Sequence, residues 1–505
     1  MTAGTPARPA ADSRSGELVA LRSTAGVALV TATVLASMVG FLDAFMVNVA
    51  VPAIAVDLDA SVSQLQWVLT GYLVTVAALL LLAGSLADHF GRRTILVTGL
   101  LVMLVASVGC AAAEGVTTLV IARLVQGVGG ALVVPSSLAM LNGSLRTADR
   151  ARGIGLWAGL STLGSTFGPY GGGWLVDHAS WRYVFLLNIP IILGALLVLT
   201  RVPEPTRTPR PLSLDLLGAV PAVAGLGGVI YALTEGPERG WGDPLVQLAA
   251  IVGIVGLAVL VPLEQRRRNP LLRTELFRSR QFDAINGATL LFYGALAAAS
   301  YLVVLQCELQ LGYSATDAGA ALIPESVVFL LVSPFVGGLV NRTGTRWPMA
   351  IGILIVAVGF VWLSAVERGD SYASAILPGA VLWGLGIGLA VAPLTAGVLA
   401  AVDDADLGEA SAINDASSRV GGVVMVALVP VLIGAGSARG LAESLRDGFP
   451  VAMLVMAGLC AAAAVLTVVF VSRDRTPHRR LPAASPRVAV CLLPDAAVRT
   501  DRRTP

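Results

Sequence analysis

The sequence predicts an all-α membrane protein with fourteen transmembrane helices, and three observations support that prediction. Of the 505 residues, 56% are hydrophobic and only 13% are charged, whereas about 25% of the residues of soluble domains are charged. The charges avoid a series of apolar segments of about 20 residues, the length that crosses a bilayer as a helix. Arginine is concentrated in alternate connections between these segments. A single soluble core is therefore excluded.

Fourteen segments have the length and composition of membrane-spanning helices. In chain order they are residues 23–42 (extending through Asp43 to 50), 60–87, 94–113, 115–145, 153–176, 183–200, 216–234, 244–263, 284–307, 318–341, 347–366, 371–402, 420–438 and 448–472. The connections are short and rich in Pro, Gly and charge, as tight helix hairpins require. Two segments carry one internal charge each, Arg123 and Glu325.

The distribution of arginine predicts the orientation of the chain. With the N-terminus inside the cell, cytoplasmic segments hold 27 arginines and external loops hold five. Positive charge is retained on the cytoplasmic side of membranes. Residues 401–410 are acidic although they fall inside, but acidic residues contribute little to this rule. We therefore expect a multi-pass protein of the cytoplasmic membrane with both termini in the cytoplasm.

An internal repeat divides the chain into two halves. The segment GSLADHFGRR (84–93) recurs as GGLVNRTGTR (337–346), with four identities, and each copy closes the second span of its group. Parallel halves of this kind are typical of transporters. The predicted organisation is a six-helix half (25–201), two inserted helices with cytoplasmic linkers (202–283) and a second six-helix half (284–472). Tails at 1–24 and 473–505 are predicted to be disordered.

Composition excludes several classes of function. The chain has no lysine, since its 34 basic residues are all arginine, so it lacks a phosphate-binding Walker lysine or a Schiff-base lysine. A net charge of +2 is too small to indicate a nucleic-acid partner. The three His and four Cys are scattered, which predicts no metal site, no disulfide and no cofactor. No catalytic constellation is visible, and we expect no enzymatic activity.

Ionisable residues inside the spans are candidate functional groups. A charge at the centre of a membrane helix costs roughly 2.5–3.5 kcal/mol on insertion scales, and Asp43 and Arg123 both lie within spans of the first half. Each is the candidate partner of the other, and a static structural pair is the alternative. Glu325, after Pro324, is a second candidate for protonation or for recognition of a cationic substrate. Glu308 is interpreted as a solvated charge at a helix end.

Five motifs resemble those of the major facilitator superfamily, and in particular its fourteen-helix drug:proton antiporter branch. They occur in the expected order over about residues 25–471. They are FLDAFMVNVAVP (41–52), GSLADHFGRRTIL (84–96), LVIARLVQGVGGA (119–131), GSTFGPYGGGWL (164–175) and WRYVFLLNIP (181–190). His89 stands where the family more often has Arg.

The resemblance implies roles for particular residues. Asp43 would carry the proton and Arg123 would adjust its uptake. A cytoplasmic conformational latch would comprise Asp88, Gly91, Arg92 and Arg93. The antiporter motif would comprise Gly164, Gly168, Pro169 and Gly172. Weaker candidates for the substrate pocket, chosen as polar or aromatic residues within spans, are Asn48, Gln126, Tyr301, Gln306 and Trp383.

The implied function is export of small hydrophobic or amphipathic compounds by alternating access, driven by inward proton movement. The expected partners are a small-molecule substrate, protons and the lipid bilayer, and we expect a monomer. A symporter that imports a nutrient is the alternative within transport, and the fifth-span motif argues against it. A non-transporting receptor or membrane-bound enzyme is the alternative from another class.

The predicted topology can be tested by cysteine labelling. In a Cys491→Ser background, cysteines introduced at Ala3 and Asp495 should not react with an impermeant thiol reagent added to intact cells, because both tails are predicted to be cytoplasmic. A cysteine at Gly240, in a predicted external loop, is the positive control. External labelling at position 3 or 495 would contradict the helix count or the orientation.

Overall fold

The protein is a bundle of helices. A computed structural model describes residues 18–202, 216–266, 274–367, 369–403, 406–435 and 440–472. Within these ranges all regular secondary structure is helical, apart from one isolated bridge between Val19 and Leu145. The prediction of an all-α protein is confirmed.

The α-helices of the described residues are α1 Thr24–Met46, α2 Val51–Asp57, α3 Val62–Phe90, α4 Arg92–Ala111, α5 Val116–Ser144, α6 Thr147–His178, α7 Arg182–Leu186, α8 Asn188–Leu199, α9 Leu216–Arg239, α10 Pro244–Gln265, α11 Arg280–Leu309, α12 Ala315–Ala320, α13 Ile323–Thr343, α14 Arg346–Leu363, α15 Tyr372–Ala400, α16 Leu407–Leu432 and α17 Leu441–Phe470.

These helices form fourteen membrane-length segments, because three predicted spans consist of two consecutive helices each. The helix α1 continues through the short helical turn Val47–Ala50 into α2, α7 is followed by α8, and α12 by α13. Within the described residues, thirteen segments are also apolar enough to cross a membrane by composition. The fourteenth is α6, whose many glycine and polar residues lower its hydropathy. The fourteen-helix prediction is confirmed.

The N-terminal segment is ordered further toward the terminus than predicted. The backbone N–H of Val19 donates to the Ser144 carbonyl at 2.8 Å, and that of Arg146 donates to the Val19 carbonyl at 3.1 Å. The N–H of Leu21 donates to Asp149 Oδ2 at 3.0 Å. The prediction of disorder is therefore wrong for residues 18–23, because the connection between α5 and α6 holds them. The described ranges do not include residues 1–17 and 473–505 of the predicted tails or the linker residues 203–215 and 267–273.

The internal repeat is visible in how two helices end. The helix α3 ends at Gly91 with φ +98°, and α13 ends at Gly344 with φ +78°. Each glycine donates its N–H to the carbonyl four residues before it, at 3.1 and 2.8 Å respectively. Positive φ favours glycine because a side chain would clash with the backbone. The same turn therefore follows the second span of both halves.

One span begins earlier than the sequence predicts. The predicted span starts at residue 420, whereas α16 starts at Leu407. The reason is that Asp415 and Arg419, one helical turn apart, form an ion pair at 3.0 Å, so their charges do not interrupt the helix. Glu409 lies in the first turn, where the helix dipole favours an acid. Part of the predicted acidic loop 401–410 is therefore helical.

The helices pack as two halves with an inserted pair. In the first half α1 packs on α6 and α8, while α5 packs on α3 and α4. In the second, α11 packs on α16 and α17, and α15 packs on α13 and α14. The inserted helices α9 and α10 contact each other closely at glycines 225, 228, 253 and 256. Because α9 also contacts α3 and α16, it bridges one helix of each half.

The two halves meet at one side of the bundle. We call the side where α1 begins and α17 ends the terminus side, and the other the opposite side. On the opposite side α6 lies against α12 at van der Waals distance between backbones. A Cβ atom on Gly173 would lie 2.1 Å from the Ala315 carbonyl oxygen, and one on Gly319 would lie 2.2 Å from that of Pro169. Only glycine allows this approach.

A carboxylate reinforces the contact on the opposite side. Asp177, at the end of α6, accepts the backbone N–H groups of Ala315 and Thr316 at 3.1 and 2.8 Å. These groups open α12 and have no partner within their own helix. An acid from the first half therefore caps a helix of the second half.

On the terminus side the halves separate. An apolar cluster joins α3 to α16, and its members closest to the terminus side are Ala78 on α3 and Val420 on α16. Beyond it, the terminus-side portions of α6 and α13 carry exposed apolar side chains, among them Leu156, Leu160, Leu331 and Phe335. Gly159 lies on α6 about four turns before Gly173 and on the same face, and its Cβ would meet nothing within 4 Å. The two halves therefore touch where α6 meets α12 and separate along α6 toward the terminus side. We call the space between them there the cleft, which is open toward the terminus side and closed at the contact between α6 and α12.

Gly173→Ala should open the opposite side. Its Cβ would collide with the backbone of α12, and overpacking of this kind costs about 1–3 kcal/mol. We expect faster deuterium uptake over residues 311–322, measured by mass spectrometry. Gly171→Ala is the matched control, since its Cβ would meet nothing within 4 Å. Equal uptake in the two variants would contradict the contribution of this contact to closure.

Candidate functional site

A buried ion pair lies in the first half. Asp43 on α1 and Arg123 on α5 are each 1% exposed, and Arg123 Nη1 donates to Asp43 Oδ2. A lone charge at this depth would be strongly destabilising. The predicted partnership of these two residues is present in the structure.

Two neutral side chains complete the hydrogen bonding of the carboxylate, and a third joins those two. Gln126 Nε2 and Asn188 Nδ2 both donate to Asp43 Oδ1, at 2.9 and 2.8 Å. The same two groups donate to Ser107 Oγ, at 3.0 and 3.3 Å. The carboxylate therefore interacts with α5 and α8, and Ser107 brings α4 into the same network. We call Asp43, Arg123, Gln126, Asn188 and Ser107 the Asp43 network.

Arg123 is held on several sides. Its Nε donates to the Val68 carbonyl on α3 at 2.9 Å, and its Nη1 also donates to Gln126 Oε1 at 2.8 Å. Its Cζ lies 4.8 Å from the centre of the Tyr72 ring and 5.8 Å from that of Phe185. Aromatic faces attract cations, and the attraction is stronger where water is excluded. Arg123 would thus keep polar and aromatic partners if Asp43 became neutral.

The sequence located part of this network. It identified Asp43 and Arg123 by their charge, and it assigned Gln126 to the substrate pocket. Gln126 is instead fully buried within the Asp43 network. Asn188 and Ser107 were missed, although Asn188 stands in the quoted motif WRYVFLLNIP. A polar side chain in an apolar run was the available signal, and it is weak because many such residues bond only to their own helix.

The glycines of the antiporter motif form the contact between α6 and α1. A Cβ on Gly164 would lie 2.7 Å from the Met38 carbonyl oxygen, and one on Gly168 would lie 3.3 Å from that of Leu42. One on Gly172 would lie 2.5 Å from Met46. Small residues four apart allow such close helix packing in membranes. We call this contact the α1–α6 seam, and it lies on α1 beside Asp43.

The predicted latch residues lie at the terminus side of α3 and α4. Arg92 Nη1 donates to the Ala139 carbonyl on α5 at 2.8 Å. Arg93 donates to the carbonyl groups of Leu199 and Val202, at 3.2 and 3.1 Å, where a cation is favoured by the end of α8. Gly91 forms the turn between α3 and α4. The side chain of Asp88 lies outside the described part of the structure.

The remaining predicted residues are distributed over the opposite side and the second half. Glu325 is half-buried in the first turn of α13, where the Ser326 hydroxyl donates to it at 2.9 Å. No described hydrogen bond joins it to the Asp43 network. The interpretation of Glu308 as a solvated charge is wrong, because Glu308 is half-buried near the end of α11 and its Oε1 is buried.

The other pocket candidates are mostly enclosed in this conformation. Asn48 is half-buried in the turn after α1. Tyr301 is 1% exposed, and Gln306 is buried with its Nε2 donating to the Val366 carbonyl at 3.3 Å. Trp383 packs edge-on against Phe360, with ring centres 4.9 Å apart. Contact of these residues with a substrate stays a prediction.

Removing Arg123 alone should be more damaging than removing both charges. Arg123→Leu leaves a buried carboxylate without its cation, which typically costs about 3–5 kcal/mol. The double variant Asp43→Asn, Arg123→Leu carries no unpaired charge, so its thermal unfolding in detergent should occur at a higher temperature than that of Arg123→Leu. A double variant no more stable than the single would contradict the assignment of this interaction as a buried ion pair.

Comparison with known proteins agrees with this architecture. The model of the Major Facilitator Superfamily matches residues 33–323 and 285–502. Multidrug resistance protein Stp of Mycobacterium tuberculosis is 32% identical over 413 residues, covering 81% of this chain and 76% of Stp. Methylenomycin A resistance protein of Bacillus subtilis is 31% identical over 467 residues, covering 91% and 97% of the two chains. Both are named as resistance proteins.

A solved structure shows the same fold at low sequence identity. The crystal structure of a peptide transporter POT in complex with sulfate matches with a TM-score of 0.68 and 16% identity, over 89% of this chain and 96% of the other. Fold, family model and relatives therefore agree. The chain belongs to the major facilitator superfamily, and its five motifs resemble those of the fourteen-helix drug antiporter branch.

Proposed function

We propose that this protein is a proton-coupled antiporter that exports small hydrophobic or amphipathic compounds across the cytoplasmic membrane by alternating access. The observation that carries the proposal is the Asp43 network, a fully buried carboxylate on the helix that forms the α1–α6 seam. Relatives named for multidrug and methylenomycin A resistance support drugs or antibiotics as substrates. A nutrient symporter or a receptor has no comparable support.

The orientation of the cleft supports loading of the compound from the cytoplasm. The arginine distribution, with 27 in the predicted cytoplasmic segments against five outside, supports a cytoplasmic terminus side. The cleft that is open on that side would then admit a compound from the cytoplasm. An exporter must load from this side.

The proton step would act on the carboxylate of Asp43. The carboxylate accepts from Arg123, Gln126 and Asn188. One proton on the carboxyl removes the charge that holds Arg123, while Arg123 keeps its bonds to Gln126 and the Val68 carbonyl. Protonation therefore weakens the strongest contact between α1 and α5, and Arg123 keeps neutral hydrogen-bond partners but loses its counter-ion.

Movement of α1 would reach the closed side through α6. Met38, Leu42 and Met46 of α1 contact the glycines of the α1–α6 seam, and the same α6 carries Gly173 and Asp177, which contact α12. Neutralisation of Asp43 is thereby linked to the contact between the two halves. Close-packed contacts of this kind switch between discrete arrangements.

Other residues complete the proposal. Arg92 and Arg93 tie the terminus-side ends of α4, α5 and α8 together, which would stiffen the first half as the predicted latch requires. Glu325 is proposed as a second protonation site in the other half. The protein is proposed to act as a monomer without a cofactor.

Asp43→Asn tests the coupling. Asparagine has a similar volume and can hydrogen-bond, but it cannot exchange a proton at physiological pH. In inverted membrane vesicles with an acidic interior, the variant should lose pH-gradient-driven accumulation of a fluorescent dye, while insertion and dye binding are retained because apolar contacts dominate such recognition.

Asp59→Asn is the matched control for this experiment, because Asp59 is exposed in a loop with φ +46° that asparagine also adopts. It should transport at the wild-type rate. If Asp43→Asn inserts normally and still accumulates the dye with wild-type pH dependence, the proton is carried elsewhere. Glu325→Gln would then be the next variant to measure.

A further inference from the structure

A second ion pair lies at the middle of the second half. Arg419 Nε donates to Asp415 Oδ2 at 3.0 Å, both on α16. Their side chains are 22% and 46% exposed. Because a charge facing lipid at this depth is strongly disfavoured, such a pair faces either the bundle interior or a water-filled cavity.

The pair faces the cleft between the halves. Contact between α3 and α16 extends on the terminus side to Val420, and Arg419 and Asp415 are the next charged residues toward the open side. Arg419 lies one helical turn before Val423, which is buried in the apolar cluster between α16 and α3. Residues four apart share a face of a helix. The pair therefore lies on the face of α16 that is directed toward α3, on the terminus side of the apolar cluster.

The guanidinium of Arg419 has unused donors. Among the described residues its only hydrogen bond is the one from Nε to Asp415. The two terminal nitrogens therefore have no hydrogen bond to the described residues. The fork of arginine matches the two oxygens of a carboxylate in geometry as well as charge. Asp415 accepts from Nε only, so both terminal nitrogens can still donate to a ligand.

We propose that Arg419, oriented by Asp415, binds a carboxylate of the exported compound in the cleft. This inference rests on the proposed function and adds a substrate class to it: amphipathic compounds that carry a carboxylate are preferred over the same compounds without one. The Asp43 network is buried within the first half, so it is not accessible to a carboxylate in the cleft. Arg419 belongs to the other half, and the two charged sites therefore serve different ligands.

The test compares two dyes that differ only in this group. Rhodamine 110 has a free carboxyl group, and rhodamine 123 is its methyl ester. Binding of each to the purified full-length protein is measured by fluorescence polarisation. The wild type should bind rhodamine 110 more tightly by about tenfold or more, the effect of one added charge-assisted contact. Arg419→Gln should lose the preference while retaining affinity for rhodamine 123.

Two further variants guard against misfolding and non-specific charge effects. Arg419→Lys keeps the charge but not the fork, so it should retain only part of the preference. Arg446→Gln removes an exposed arginine of α17 and should leave both affinities unchanged. Equal binding of the two dyes by the wild type, or an unchanged preference in Arg419→Gln, would overturn the inference alone. Failure of the wild type to bind either dye would count against the proposed export of amphipathic compounds as well.

Discussion

The ion pair between Asp43 and Arg123 is the interaction on which the first half of the protein depends. Asp43 and Arg123 are each 1% exposed. Two such charges are tolerated inside a membrane only when nearly all of their hydrogen-bonding groups have partners. One carboxylate therefore brings side chains from α1, α4, α5 and α8 together, and the backbone of α3 supplies a further acceptor to the guanidinium. Few packings of these helices would meet all of those requirements. The groups involved are Asp43, Ser107, Arg123, Gln126, Asn188 and the Val68 carbonyl.

The helix that carries Asp43 also packs against α6, and α6 contacts the second half at α12. Along α1, Asp43 faces the buried network while Met38, Leu42 and Met46 face the glycines of α6. At the far end of α6, backbone contacts at Gly173 and the carboxylate of Asp177 join the second half. Contacts between backbones have almost no slack, because each is already at van der Waals distance. A small displacement of α1 would therefore be transmitted to the closed side rather than absorbed.

The two halves distribute charge differently although they share one repeat. The first half encloses the ion pair of Asp43 and Arg123 completely. Among the described residues of the second half, the buried polar side chains are neutral. Two of them, Asn286 Oδ1 and Thr289 Oγ1, accept from half-buried Asn414 at 3.1 and 2.8 Å. The ion pair of the second half, Asp415 with Arg419, is partly exposed to the cleft. Under the proposed function, one half handles the proton and the other offers charge to the substrate.

Composition alone determined the number and nature of the helices, because the bilayer sets a minimum apolar length that can be read locally. It also identified Asp43 and Arg123, since a charge in an apolar run is conspicuous wherever its partner lies. Asn188 and Ser107 could not be found this way: they are neutral, and Asn188 reaches Asp43 across 145 residues of sequence. The early start of α16 and the closure of α6 on α12 likewise depend on contacts that local hydropathy does not encode. Tertiary structure decided them, because a hydrogen bond or a backbone contact between distant helices is a property of their packing and not of either segment.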